Sequence, residues 1–109
     1  MPLNVAVMDL SGVTTGTGAV HTSQGFNTWS MQTTWSAGVT AGTVVLEGSV
    51  DGVGYGVLAT RAFQASTTFI DTATASCKFY RVRVSVTVTG GTVSAGVGAM
   101  GPLPNDANP

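Results

Sequence analysis

Charge is what this sequence lacks most. Of its 109 residues only 8% are Asp, Glu, Lys or Arg, against roughly 25% in an ordinary soluble domain. Four basic residues and five acids leave a net charge of −1. Nucleic-acid binding needs a basic footprint to neutralise phosphates, so that class is excluded. A free monomer normally relies on surface charge for solubility. A chain this neutral is expected to place much of its surface against other protein.

Other absences narrow the reading further. There is one cysteine, Cys77, so no intrachain disulfide can form. Its strand-like neighbours mark it as a small buried side chain. No apolar run approaches the roughly 18 residues that would span a membrane. The opening Met1 to Gly12 has neither the charged nor the apolar region of a secretory signal, so the expectation is synthesis in a cytoplasm. The single histidine, His21, lies among Thr, Ser and Gly and reads as a surface-loop residue. A Ser-His-Asp triad could be assembled on paper from His21, a serine and Asp71, yet no G-x-S-x-G elbow is present. One His and one Cys cannot close a zinc site. Gly16 to Gly18 and Gly52 to Gly56 lack the GK[ST] ending of a phosphate loop. The expectation is a protein without catalytic residues, metal or cofactor.

Abundance points to β structure. Val and Thr recur throughout, and both favour strands over helices. Glycine numbers 15 and punctuates the chain at short intervals, as in a sandwich or barrel. Expected strands are Leu3 to Asp9, Gly25 to Thr34, Thr43 to Val50, Tyr55 to Phe63, Thr67 to Ile70, Cys77 to Thr89 and Thr92 to Met100. Ser11 to Gly18 is expected to be a loop. Within the second strand Trp29 and Met31 share one face, and Phe26 takes the other. The clearest alternation sets Tyr80, Val82, Val84, Val86 and Val88 inward, and Phe79, Arg81, Arg83, Ser85 and Thr87 outward. Asp51-Gly52 and Gly90-Gly91 read as tight hairpin turns. Glu47, mid-strand, is expected to pair with Arg81 or Arg83, and Asp51 and Asp71 to serve turns.

The fold expected is all-β: an antiparallel β-sandwich, jelly-roll or immunoglobulin-like, of about seven strands. Residues 1–100 form its single domain and residues 101–109, with three prolines, an extended C-terminal arm. Trp29 is expected in the core. Trp35 and Tyr55, at strand ends, are the aromatics expected at the surface, where they could stack on a sugar or a partner.

One stretch carries a resemblance. Val45-Leu46-Glu47-Gly48-Ser49-Val50-Asp51-Gly52-Val53-Gly54-Tyr55 is followed by Lys78-Phe79-Tyr80-Arg81-Val82-Arg83-Val84 and by Gly90-Gly91-Thr92-Val93-Ser94-Ala95. This succession, over Thr43 to Met100, resembles small structural proteins of tailed-phage virions, of the capsid decoration or cement type. Tyr55 stands where that pattern commonly has Trp. The resemblance implies a place on the virion capsid surface, a major capsid protein as partner, and a homo-oligomer, most naturally a trimer. It also implies contacts through the termini and nearby loops: Pro2, Leu3 and Val5 at one end, Pro102, Leu103 and Pro104 at the other, with His21, Trp35 and Tyr55. The alternatives are a carbohydrate-binding or fibre-tip adhesion module and a tail or connector component.

Overall fold

The computed structural model describes residues 4–22, 27–64 and 68–100, with side chains at 8–22, 27–64 and 68–99. These residues form eight strands and no helix: β1 (Asn4–Val13), β2 (His21–Thr22), β3 (Thr28–Trp35), β4 (Ala41–Ser49), β5 (Gly56–Ala62), β6 (Thr68–Thr74), β7 (Phe79–Thr89) and β8 (Val93–Met100). They build two four-stranded sheets. Sheet A runs β1-β8-β3-β6 and sheet B runs β2-β7-β4-β5, and every pairing is antiparallel. The expected all-β sandwich is the fold observed.

Alternation explains the two layers. On β3, Trp29, Met31, Thr33 and Trp35 are buried while Ser30, Gln32 and Thr34 face out. On β7, Tyr80, Val82 and Val84 turn inward as expected. They meet Trp29, Met31, Val44, Leu46, Val93 and Val97 in one apolar cluster between the sheets. Burial of this kind is the main stabilising term in a domain this small.

The strand expectations need five corrections. β1 continues to Val13, through two register shifts, where a loop was expected from Ser11. The chain then crosses to sheet B. There Gly18 N–H donates to the Val82 carbonyl, Val84 N–H to Gly16 and Val88 N–H to Thr14, which leads into the unexpected strand β2. β6 extends to Thr74, so Asp71 is a mid-strand residue and not a turn residue. Val86 is 54% exposed despite its inward parity, because register shifts against β4 break the alternation there. Leu3 and Phe26 lie outside the described residues.

The fifth correction concerns Gly90-Gly91, which does not close a hairpin. β7 and β8 belong to different sheets, so the two glycines carry the chain across the sandwich. The β3–β4 connection crosses beside them in the opposite sense. Ser36 N–H donates to the Thr92 carbonyl (2.9 Å), Thr92 N–H to Ser36 Oγ (2.8 Å) and Thr40 N–H to the Thr89 carbonyl (2.8 Å). The crossing is also where β8 leaves β7 to pair with β1 and β3.

Candidate functional site

The polar side chains gather in three places. The first is the outer face of sheet B. Register sets Glu47 opposite Arg81, and Val45 opposite Arg83. Glu47 is buried on its own strand yet meets both guanidinium groups, at 2.8 Å to Arg81 Nε and 2.8 Å to Arg83 Nη2. The expected cross-strand pair is therefore a triad. Hydrogen bonding by Arg83, reinforced by Arg81 and opposed by burial, holds the Glu47 carboxyl below its ordinary value. A general acid needs the opposite shift; Glu47 is the anion that the two arginines share. Tyr55, half-buried, lies flat under Arg81, whose guanidinium carbon is 3.8 Å from the ring centroid.

The β4–β5 loop adjoins this triad. Asp51 Oδ1 accepts from Val53 N–H (2.8 Å), Gly54 N–H (2.9 Å) and the Ser49 hydroxyl (3.1 Å), while Ser49 Oγ accepts from Gly52 N–H (2.8 Å). Asp51 is thus the turn residue expected, in an Asx arrangement longer than a two-residue hairpin. These bonds from the loop's own backbone lower its pKa. No group of three His, Cys, Asp or Glu side chains that could hold a metal occurs among the described residues.

The second and third places are the two sides of the sandwich, where β1 faces β2 and β6 faces β5. On one side Asp9 of sheet A reaches His21 of sheet B, Oδ1 to Nε2 at 2.9 Å. The Asp9 side chain is only 2% exposed. The His21 ring lies 5.1 Å from Tyr80, and Tyr80 lies 4.1 Å from Trp29. Burial, with a smaller contribution from Asp9, pushes the Tyr80 phenol up. On the other side Arg61 of sheet B holds Asp71 of sheet A through two bonds, 3.0 Å from Nε and 2.7 Å from Nη2, and covers the Phe69 ring at 4.3 Å. Each side is therefore tied across the sheets by one acid–base pair. His21 is committed to Asp9 and Asp71 to Arg61, so the imagined His21–Asp71 triad does not assemble.

The outer face of sheet A is different in kind. Every charged side chain among the described residues lies on sheet B, in its loops or between the sheets. What projects from sheet A is hydroxyl, amide, glycine and a few apolar groups. Ser30 meets Thr72 at 3.3 Å and Thr34 meets Thr68 at 3.2 Å as cross-strand hydroxyl pairs. A shallow trough of about 450 Å³ crosses this face over Gly96 and Gly98, rimmed by Met8, Ser30, Gln32 and Ile70. Met8 is 55% exposed and Ile70 65%.

The residues expected to make contacts are dispersed. Pro2, Leu3, Pro102, Leu103 and Pro104 lie outside the described residues. Val5 sits in β1 opposite Ala99. His21 is half-buried in β2, not in a loop. Trp35, expected at the surface, is 2% exposed. Its ring meets Phe63 edge-on at 5.5 Å beneath the β3–β4 crossing, because the strand end turns into the sandwich there. Tyr55 is half-buried, with one face of its ring taken by Arg81. Cys77 is half-buried beside Gly48, and burial raises its pKa. Sequence reasoning missed the neutral sheet A face. Its signal was the alternation of Ser30, Gln32 and Thr34 on β3 with Ser94, Gly96 and Gly98 on β8.

No protein-family model matches the chain, and no curated protein sequence matches it. Solved structures share its fold. The SPBc2 prophage-derived protein YomS superposes with a TM-score of 0.71 at 13% identity, over 92% of this chain and 95% of that one. A protein of Bacillus endospore appendages, described as forming a novel family of disulfide-linked pili, superposes with a TM-score of 0.51 at 11% identity, over 94% of this chain and 88% of that one. The fold of this chain is thus one also used by a prophage-derived protein and by a pilus-forming one.

Proposed function

We propose that this chain is a virion structural protein of a tailed phage, of the capsid decoration type, which binds the assembled shell and stabilises it. The observation that carries the reading is the division of the surface: a sandwich whose described charged side chains lie on sheet B, in its loops or between the sheets, and whose sheet A face is neutral. Such a face suits protein contact, which supports a structural role. The fold likeness to a prophage-derived protein supports the phage setting. The partner is the major capsid protein, and the protein acts as a homo-oligomer. A ligand that binds only the assembled lattice stabilises that lattice by mass action.

Co-sedimentation with undecorated particles of the cognate virus tests this. Saturable binding at a copy number commensurate with the capsid lattice is expected. No binding to shells, with binding to tails or tail tubes, would replace decoration by the second reading.

That second reading is a tail or connector component, favoured by the likeness to a pilus-forming protein. A polymer linked by disulfides needs two cysteines per subunit, and this sequence has one. A filament of this chain would therefore be held by non-covalent contacts. A sugar platform is disfavoured, since Trp29 and Trp35 are both buried and Tyr55 is stacked under Arg81.

A further inference from the structure

The outer face of sheet A is built to meet itself. Strand register places its side chains in transverse rows. One row runs Met8, Gly96, Gln32, Ile70 across β1, β8, β3 and β6, and the next carries Gly98, Ser30 and Thr72 across β8, β3 and β6. The bulk is unevenly distributed. β6 presents Ile70 and Thr72, whereas β8 presents only glycine at the same heights.

We propose that two copies of this chain pair face to face through sheet A, about a two-fold axis running along β3 in the plane of contact. That axis carries β6 of one copy over β8 of the other. Ile70 then fills the space over Gly96 of the second copy, Thr72 fills the space over Gly98, and each contact occurs twice. Gln32 meets its own counterpart on the axis, where each carboxamide N–H can donate to the other's oxygen. The isologous geometry doubles whatever charge a face carries, so the neutral face is the one of the two able to meet itself. The outer face of sheet B would instead bring two Glu47–Arg81–Arg83 triads, each with two cations to one anion, into the same contact.

The size of the contact sets its strength. Three overlapping strands, spaced about 4.8 Å with about 3.3 Å per residue, give roughly 350 Å² of flat face per copy. A standard stable interface buries roughly 800 Å² per partner. The pair is therefore reversible and concentration-dependent, not permanent. It deepens the homo-oligomer reading but does not depend on the virion role, and its two-fold symmetry departs from the trimer expected from the resemblance.

Sedimentation velocity over about 1 µM to about 1 mM protein tests the pairing. Wild type is expected to pass from monomer to dimer within that range. Ile70→Lys, at an exposed edge position, is expected to weaken the dimer at least about tenfold, with an unchanged circular dichroism spectrum. Val86→Lys, on the exposed face of sheet B, is expected to leave it intact. Register is tested in a Cys77→Ser background with a short bis-maleimide. A mixture of Ile70→Cys and Gly96→Cys chains is expected to cross-link more than either alone. Wild type monomeric throughout, equal weakening by Val86→Lys, or no excess of mixed cross-links would each overturn the proposal. Shell binding without dimers would remove this pairing alone, and dimers without shell binding would remove the decoration role alone.

Discussion

Gly90 and Gly38 touch backbone to backbone where the two inter-sheet crossings pass. A Cβ on Gly90 would run into the Gly38 carbonyl oxygen, and one on Gly38 would stand 2.7 Å from the Gly90 carbonyl oxygen. Both residues also have positive φ, +87° and +92°. The left-handed backbone alone costs an alanine about 1–2 kcal/mol, and the overlap is with backbone, which cannot rotate away.

Gly90→Ala is therefore expected to destabilise the domain by about 2 kcal/mol or more. Gly54→Ala, with nothing within 4 Å of the added carbon and no positive φ, is expected to change stability by less than about 0.5 kcal/mol. Urea unfolding of both variants checks this, and equal midpoints would refute the crowding at the crossing.

Glu47 makes stability depend on pH in a definite direction. Its pKa is lowered in the folded protein, so the stability it contributes is fully present above the ordinary glutamate value. That stability is lost as pH falls through the lowered one. Glu47→Gln, which leaves Arg81 and Arg83 without their shared anion, is expected to cost about 1–3 kcal/mol at neutral pH. The gap between wild type and variant should narrow as pH falls below the ordinary value. A gap that stayed constant in urea titrations down the acid range would show that the triad's charge is not what stabilises it.

The two tryptophans are expected to report a dry environment. Trp29 is fully buried and Trp35 is 2% exposed, so native fluorescence should be blue-shifted and poorly quenched by acrylamide. Trp35→Ala is expected to cost about 3–5 kcal/mol, as for other large core aromatics. A red-shifted, readily quenched native spectrum would return Trp35 to the surface and reopen the sugar-platform reading.

Much of the fold was legible in residue alternation. The Trp29–Met31 face, the inward Tyr80–Val84 series and the Glu47 pairing follow from a period of two and from charge matching between neighbouring strands. The first two relations are local to one strand; the third joins β4 to β7 and was legible because the sequence offers few opposite charges to match. Asp71 misled because an acid in a short polar stretch resembles a turn, and its partner Arg61 lies across the sandwich in the other sheet. Trp35 misled because a strand end can as easily dive under a crossing as emerge from it.

Composition and alternation by themselves determined that this chain is all-β and poor in charge. Those properties depend only on which side chains are present and on their parity along a strand. The tertiary structure decided that Gly90-Gly91 crosses between sheets, that His21 is tied to Asp9, and that Gly96 and Gly98 lie level with Ile70 and Thr72. Each of these depends on which strands become neighbours and in what register. Register is a property of pairing between distant segments, set by the whole core at once.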